Sequence, residues 1–206
     1  AAIRAAQLGK KVAIVESNHL GGVCLNWGCI PTKALLKNAD VLDIIKNASK
    51  YGIEIPEYTV KWSKVIKRSR DVSRRLNKGI EFLMKKNKGT YIPARGKLID
   101  ATTVQTTTGE GVINQITADN IIIATGARPK WFPGMEPDGN RVITSKEAMV
   151  QKEQPKSLII IGAGAIGIEF AHFYNTYGTK VIVIEALSTI LPVEDEDVSK
   201  ELLNIF

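Results

Sequence analysis

The stretch LIIIGAGAIGIEFAHFYNTYGTKVIVIE, residues 158–185, decides the fold class of this chain. An apolar strand pattern leads into a turn with three glycines, then a helix, a further glycine and a second apolar strand that ends at Glu185. The three glycines of the turn are Gly162, Gly164 and Gly167. Such glycines let a backbone approach a pyrophosphate at a helix N-terminus, while the acid accepts hydrogen bonds from a ribose. A tight packing turn alone explains the glycines but not the placed acid, so the pattern predicts an α/β fold that binds a dinucleotide.

The acid also indicates which dinucleotide binds. A carboxylate at Glu185 would repel a 2′-phosphate, which is usually held by arginine. No arginine follows Arg141 in the chain. We therefore expect NAD rather than NADP.

The opening residues repeat the second half of this pattern. In AAIRAAQLGKKVAIVE, residues 1–16, placing Gly9 on Gly178 also places Glu16 on Glu185, an offset of 169 positions. The repeat predicts two Rossmann-like dinucleotide-binding units, the first entered in mid-helix and the second left incomplete, so that both termini are truncated. We assign residues 1–145 to a partial first domain and residues 146–206 to a partial NAD-binding domain.

Both cysteines lie in GGVCLNWGCIPTKALL, residues 21–36. Residues five positions apart in one continuous helix rise by roughly 7.5 Å, too far for an unstrained disulfide, so a bridge requires an irregular turn before the helix. Gly28 and Pro31 suit such a turn and helix start, where Cys29 would favour the thiolate. Two packed thiols remain the alternative, but packing does not call for the neighbouring glycine, proline and Lys33. Zinc is disfavoured because the only histidines, His19 and His172, lie in unrelated contexts.

The cysteine segment resembles that of the flavin-dependent pyridine nucleotide disulfide oxidoreductases, most closely the branch that oxidises dihydrolipoyl groups with NAD. The resemblance covers essentially the whole chain and implies a redox disulfide, with Cys24 as the interchange thiol and Cys29 as the thiol against the flavin. It also implies that residues 1–145 bind FAD. The implied FAD contacts are Glu16, Gly22, Lys33, Gly96, Thr125 and Gly126, and the implied NAD contacts are Gly162, Gly164, Gly167, Glu169 and Glu185. Glu169 is further implied to pair with Lys33.

The same resemblance implies partners and missing parts. The partners are the dihydrolipoyl-bearing acyltransferase of a 2-oxo-acid dehydrogenase complex and a second copy of the intact protein, in a bacterial-type cytoplasm or else a mitochondrial matrix or plastid. In the family's sequences, three features lie C-terminal to the region that this chain resembles. They are the catalytic His and Glu pair, the second flavin-binding segment and the dimer-forming domain. We therefore expect these 206 residues alone to be inactive. The alternatives are a non-catalytic truncated fragment or an enzyme of the glutathione or mercuric reductase type.

The basic charge is concentrated in one region. Residues 61–97 hold 13 Lys or Arg and two acids, a local charge of +11. Because the whole chain has a net charge of +7, the remaining residues together carry about −4. Apolar residues at helical spacing make this an amphipathic helix with a solvated basic face, and without interleaved aromatic residues we do not expect nucleic-acid binding. No apolar run reaches the length of a membrane span.

The remaining segments carry ordinary structural signals. The sequence predicts a helix over 31–50, a loop over 51–59, a long helix to about Lys88 and a small antiparallel β-meander over about 91–124, whose last strand is Asn120–Ala124.

Overall fold

The computed structural model describes all 206 residues. Their contacts group the chain into two compact units, residues 1–26 with 73–128 and residues 27–72 with 129–206. The fold is α/β, as the glycine-rich stretch predicts. No helix has the length and apolar content needed to cross a membrane.

The first unit contains a parallel strand pair and an antiparallel sheet. Its elements in chain order are α1 Ala2–Gln7, β1 Ala13–Val15, α2 Gly22–Trp27, β2 Thr90–Ile92, β3 Arg95–Leu98, β4 Thr103–Thr107 and β5 Ile113–Thr117. Strand β1 pairs in parallel with β2, from Ala13 opposite Thr90 to Val15 opposite Ile92. Strands β3, β4 and β5 form the antiparallel meander, and the turn at Gly111 has a positive φ of 83°.

The meander is smaller than expected. It runs over residues 95–117, because Thr90–Ile92 pairs with β1 instead. The predicted last strand, Asn120–Ala124, is wrong: these residues form no ladder, and the side chains of Ile122 and Ile123 are 71% and 69% exposed. An apolar run becomes a strand only where a neighbouring backbone accepts and donates its hydrogen bonds, and no described strand does so here.

The second unit is built around a helix packed on a parallel strand pair. Its elements are α3 Cys29–Lys46, a 3₁₀ turn Ala48–Tyr51, α4 Trp62–Lys86, α5 Ser145–Ala148, β6 Ser157–Ile161, α6 Ala165–Thr176, β7 Lys180–Ile184 and α7 Glu196–Ile205. Helix α4 is continuous, and its last turns, from Ser73 onward, group with the first unit. The predicted helices over 31–50 and to about Lys88, and the loop over 51–59, are confirmed with small shifts of their ends.

The core of the second unit lies between α3 and α6. Its buried members are Leu35, Ala39, Ala148, Met149, Phe170, Phe173 and Tyr174. The ring centroid of Trp62 lies 5.5 Å from that of Phe173. The indole N–H of Trp62 donates to the Gln151 carbonyl at 2.9 Å. Burial of these aromatic rings removes apolar surface from water and fixes α6 against α3, so it also positions the residues at the ends of both helices.

Candidate functional site

The two cysteines form a disulfide across a break between two helices. Cys24 lies within α2, Cys29 is the first residue of α3, and both are exposed. The break is Gly28, whose carbonyl accepts the first bond of α3 from the Thr32 amide at 3.1 Å and a second from the Thr32 hydroxyl at 2.8 Å. The irregular turn expected from the sequence is therefore a single residue between a short helix and a long one.

The position of Cys29 gives it a specific chemistry. The first amides of an α-helix have no partner within the helix and carry the positive end of its dipole. A thiolate at this end is stabilised, which makes the sulfur of Cys29 a better leaving group. With Cys24 exposed, the disulfide is arranged for exchange with an external thiol.

Lys33 and Glu169 form an ion pair, as the resemblance implies. Their side chains join α3 to α6, and the lysine lies about one turn after Cys29. The Lys33 side chain is 61% exposed, so the pair contributes little to stability. Its effect is to hold the ammonium group of Lys33 near the start of α3.

A buried asparagine in the disulfide loop anchors α2, and the sequence reasoning missed it. The Asn26 side-chain amide donates to the carbonyls of Leu20 and Gly22, both at 2.9 Å. The amide of Asn77 also donates to Leu20, at 2.5 Å. An asparagine with low helix propensity between two cysteines was the available signal.

The other missed residue of the loop is Trp27. The guanidinium of Arg70 lies 4.2 Å from the Trp27 ring centroid, and the Lys146 ammonium lies 4.8 Å from it. Both distances are within the range of cation–π attraction. The signal in the sequence was an aromatic residue inside a cysteine loop, but its partners come from distant segments.

Each of the three glycines in the turn after β6 is suited to its position for a different structural reason. Gly162 has a positive φ of 102°. A Cβ on Gly167 would lie 2.1 Å from the Gly162 carbonyl oxygen, so only glycine fits there. Gly164, the N-cap of α6, has nothing within 4 Å of an added Cβ. The space beside Gly164 leaves the amides at the start of α6 open to an anionic ligand, which fits a pyrophosphate.

Glu185 is tied to that turn. Its carboxylate accepts from the amides of Ala163 at 2.8 Å, Ala186 at 2.7 Å and Leu187 at 2.9 Å. These bonds, chiefly those from Leu187 and Ala163, lower the pKa of Glu185 from its ordinary value of 4.5. The depressed value means that the bonds stabilise the fold above pH 4.5 and that this contribution is lost as the pH falls through the folded pKa.

The residues expected to contact FAD in the first unit are placed as follows. The Glu16 carboxylate follows β1 and accepts from the Asn18 amide at 2.7 Å. Gly22 begins α2 with a positive φ of 71°, and Thr125 and Gly126 lie in irregular backbone where Gly126 has a φ of 76°. Gly96 lies in β3, where an added Cβ would be 3.4 Å from side-chain carbons of Val15 and Val104. These are ordinary van der Waals distances, so packing does not require glycine at position 96, and the flavin contact of Gly96 stays a prediction.

Comparison with known proteins agrees with this geometry. The family described as pyridine nucleotide-disulphide oxidoreductase matches residues 1–206. A dihydrolipoyl dehydrogenase of Chlorobaculum parvum is 46% identical over 206 residues, which is all of this chain and 44% of that protein. A dihydrolipoyl dehydrogenase of Rhizobium etli is 49% identical, over 97% of this chain and 44% of its own length.

A solved structure shows the same fold. The crystal structure of LpdA from Mycobacterium tuberculosis matches all of this chain with a TM-score of 0.89 at 25% identity, and the match covers 45% of that chain. This chain spans less than half the length of each of these relatives. From the exposed disulfide, the glycine turn and an end-to-end match, we conclude that the chain belongs to the pyridine nucleotide-disulphide oxidoreductase family.

Proposed function

We propose that the protein containing this chain oxidises protein-bound dihydrolipoyl groups and reduces NAD, by way of the Cys24–Cys29 disulfide and FAD. The observation that carries the proposal is the exposed disulfide whose second cysteine begins α3. Relatives named dihydrolipoyl dehydrogenase match 97–100% of this chain at 43–49% identity. These relatives favour this function over a glutathione or mercuric reductase.

We further propose that the chain contributes to two dinucleotide-binding units, FAD in residues 1–145 and NAD in residues 146–206. The local structure around the two acids supports this. Gly9 and Gly178 both have positive φ, 78° and 93°, after helices that lead into parallel-paired strands. Each following acid, Glu16 and Glu185, accepts from the amide two residues later.

The exchange step uses groups of this chain. A thiolate of the dihydrolipoyl group attacks the exposed sulfur of Cys24, and the disulfide breaks with Cys29 leaving as a thiolate at the start of α3. The second substrate thiol then attacks the mixed disulfide and releases Cys24. The substrate dithiol has lost two electrons and two protons to become a cyclic disulfide. The protein disulfide has gained the two electrons, one proton goes to the Cys24 thiol and the other to solvent. The helix dipole and the nearby ammonium of Lys33 stabilise the anion left on Cys29.

The residues present fit the two dinucleotides at the positions described. Gly164 and the open amides of α6 would hold the NAD pyrophosphate, and Glu185, whose three amide bonds leave acceptor capacity, would bind its ribose. Glu16 would do the same for FAD, with Gly22, Lys33, Thr125 and Gly126 near its other parts. When bound, FAD supplies the two-electron transfer that links a reduced cysteine pair to NAD. The ion pair with Glu169 would hold Lys33 in position beside the bound FAD.

The proposed physiological setting follows from the same relatives. The substrate would be the dihydrolipoyl group on the acyltransferase of a 2-oxo-acid dehydrogenase complex, and the protein would act as a homodimer. The two relatives named above are bacterial, which supports a bacterial cytoplasm.

The test is NAD-dependent oxidation of dihydrolipoamide by the protein expressed from its complete reading frame. We expect flavin absorption in the purified protein and steady NADH formation. Cys24→Ser and Cys29→Ser should each lower kcat by at least about 10³-fold, because the exchange needs both sulfurs. Lys33→Met should lower activity, whereas Lys37→Met, which removes a lysine one turn later, should not.

The proposal is wrong if the purified protein has no flavin, or if Cys24→Ser keeps more than about a tenth of the activity. Lys37 is a fair control because it forms only a 3.7 Å surface pair with Asp40. Equal losses in Lys33→Met and Lys37→Met would show that the lysine at position 33 has no specific role.

A further inference from the structure

We propose that Trp27 is a positioning residue for the redox disulfide, held in place by Arg70 and Lys146 on its ring. This inference rests on the proposed function, because it assigns Trp27 a part in the reduction of Cys24–Cys29. The indole lies two residues before Cys29 and directly before the break at Gly28. Whatever fixes this ring therefore fixes the backbone that joins the two cysteines.

Three separate segments meet at the ring. Arg70 comes from α4 and Lys146 from α5, with centroid distances of 4.2 and 4.8 Å. Helix α4 is fastened to α3 by bonds from Arg68 to the Ala34 carbonyl at 3.0 Å and from Asn38 to the Val65 carbonyl at 3.2 Å. The cation from α4 is thus supplied by a helix with a fixed position.

The start of α5 is fixed as well. Thr144 and Glu147 form a capping box, in which the Thr144 hydroxyl accepts from the Lys146 amide at 3.2 Å and the Thr144 amide donates to the Glu147 carboxylate at 2.9 Å. Met149, just after α5, is 1% exposed and belongs to the core. Lys146 therefore extends from a rigid base to the indole.

The consequence concerns the reduced state. In the oxidised protein the disulfide itself holds the loop, so the ring contacts change its geometry little. Once the bond is reduced, only non-covalent contacts keep the two sulfurs near each other, and loop freedom lowers their effective concentration. The cation–π contacts are partly kept in the reduced state, so only part of their energy favours closure. Together they would make ring closure roughly five- to tenfold more favourable than in a loop without the indole.

The test measures the equilibrium of the disulfide with dithiothreitol redox buffers in the protein expressed from its complete reading frame. We expect Trp27→Ala to shift this equilibrium toward the dithiol by roughly five- to tenfold, a rise in midpoint potential of up to about 30 mV. Trp27→Phe, which keeps an aromatic face, should stay within about twofold of the wild type. Lys146→Met, which removes one cation at similar side-chain length, should shift it roughly two- to threefold.

Trp131→Ala is the matched control, because that tryptophan is 52% exposed and lies in irregular backbone. The inference is overturned if Trp27→Ala or Lys146→Met leaves the equilibrium unchanged, or if Trp131→Ala shifts it equally. A merely structural tryptophan would change thermal stability without changing the redox equilibrium. Failure of the proposed function would appear differently, as a wild-type disulfide that dihydrolipoamide does not reduce.

Discussion

The two segments that end in an acid, residues 1–16 and 158–185, have similar endings and different beginnings. In both, a helix gives way to a glycine with positive φ, and a strand leads to a glutamate that accepts from the amide two residues on. Only the second segment also contains the strand and glycine turn that come before the helix. Glu185 accepts from Ala163 within that turn, whereas the Glu16 carboxylate accepts from Asn18 alone among backbone amides.

The difference teaches what each glutamate does inside this chain. The Glu185 carboxylate ties the end of β7 to the turn after β6, so the proposed NAD contact and the fold depend on the same group. The Glu16 carboxylate makes only a local bond, to the Asn18 amide at the end of its strand. In the second segment the glycine turn and the acid proposed to bind NAD are therefore joined by a direct hydrogen bond.

The largest expected effect is that of Gly167→Ala. The new Cβ would lie 2.1 Å from the Gly162 carbonyl oxygen and 3.2 Å from Ile160, and backbone cannot yield as a flexible side chain would. We expect the free energy of unfolding to fall by about 3 kcal/mol, measured by denaturant titration. Gly9→Ala, at a φ of 78° with open space, is the counterpart in the first segment and should cost about 1 kcal/mol. Equal losses would remove the structural distinction between the segments.

Glu185→Gln should weaken NADH binding by about tenfold, because a neutral amide would replace the charged carboxylate that we propose accepts from the ribose hydroxyls. The measurement is a fluorescence titration with NADH. Glu16→Gln is the matched control and should leave NADH affinity within about twofold. The same loss in both variants would mean that the effect does not arise at the second glycine turn.

Gly164→Ala separates ligand binding from folding. Its Cβ would enter the open space at the start of α6, so stability should change by less than about 1 kcal/mol while NADH affinity falls by roughly fivefold. Titration with NADH and denaturant unfolding of the same variant provide the two numbers. A variant that binds NADH like the wild type would show that the pyrophosphate does not approach Gly164.

The smallest effect is expected at Gly96. An added methyl group would make ordinary contacts of 3.4 Å with Val15 and Val104, so stability should change by no more than about 0.5 kcal/mol. Flavin absorbance per chain then decides the role of this glycine. Unchanged flavin content would assign Gly96 to packing, and a clear loss would support the contact that the family resemblance implies.

The local parts of the fold were predictable because their causes lie within a few residues. The strand, glycine turn and helix of 158–185 follow from apolar periodicity and from glycines needed at Gly162 and Gly167. Whether a single apolar run becomes a strand was not predictable, because this depends on a partner strand elsewhere in the chain. Asn120–Ala124 has the composition of a strand but no strand pairs with it. The ion pair of Lys33 with Glu169 was reachable only through resemblance, because 136 positions separate the two residues.

The surroundings of the disulfide could be predicted only in part. The break before α3 was predictable from Gly28 and Pro31, but the short helix that carries Cys24 was not. The contacts on Trp27 come from residues 43 and 119 positions later, at 70 and 146, so they depend on how α4 and α5 pack. Periodicity carries no information on such contacts.

The most direct test of the account is reduction of Cys24–Cys29 by dihydrolipoamide in the absence of NAD. The protein expressed from its complete reading frame would be treated without oxygen, alkylated and analysed by peptide mass spectrometry. We expect both Cys24 and Cys29 to become alkylated in proportion to the lipoamide formed, one disulfide reduced for each dithiol oxidised. If lipoamide forms while the Cys24–Cys29 bond stays intact, or if no reaction occurs, the disulfide is not the site of dihydrolipoyl oxidation.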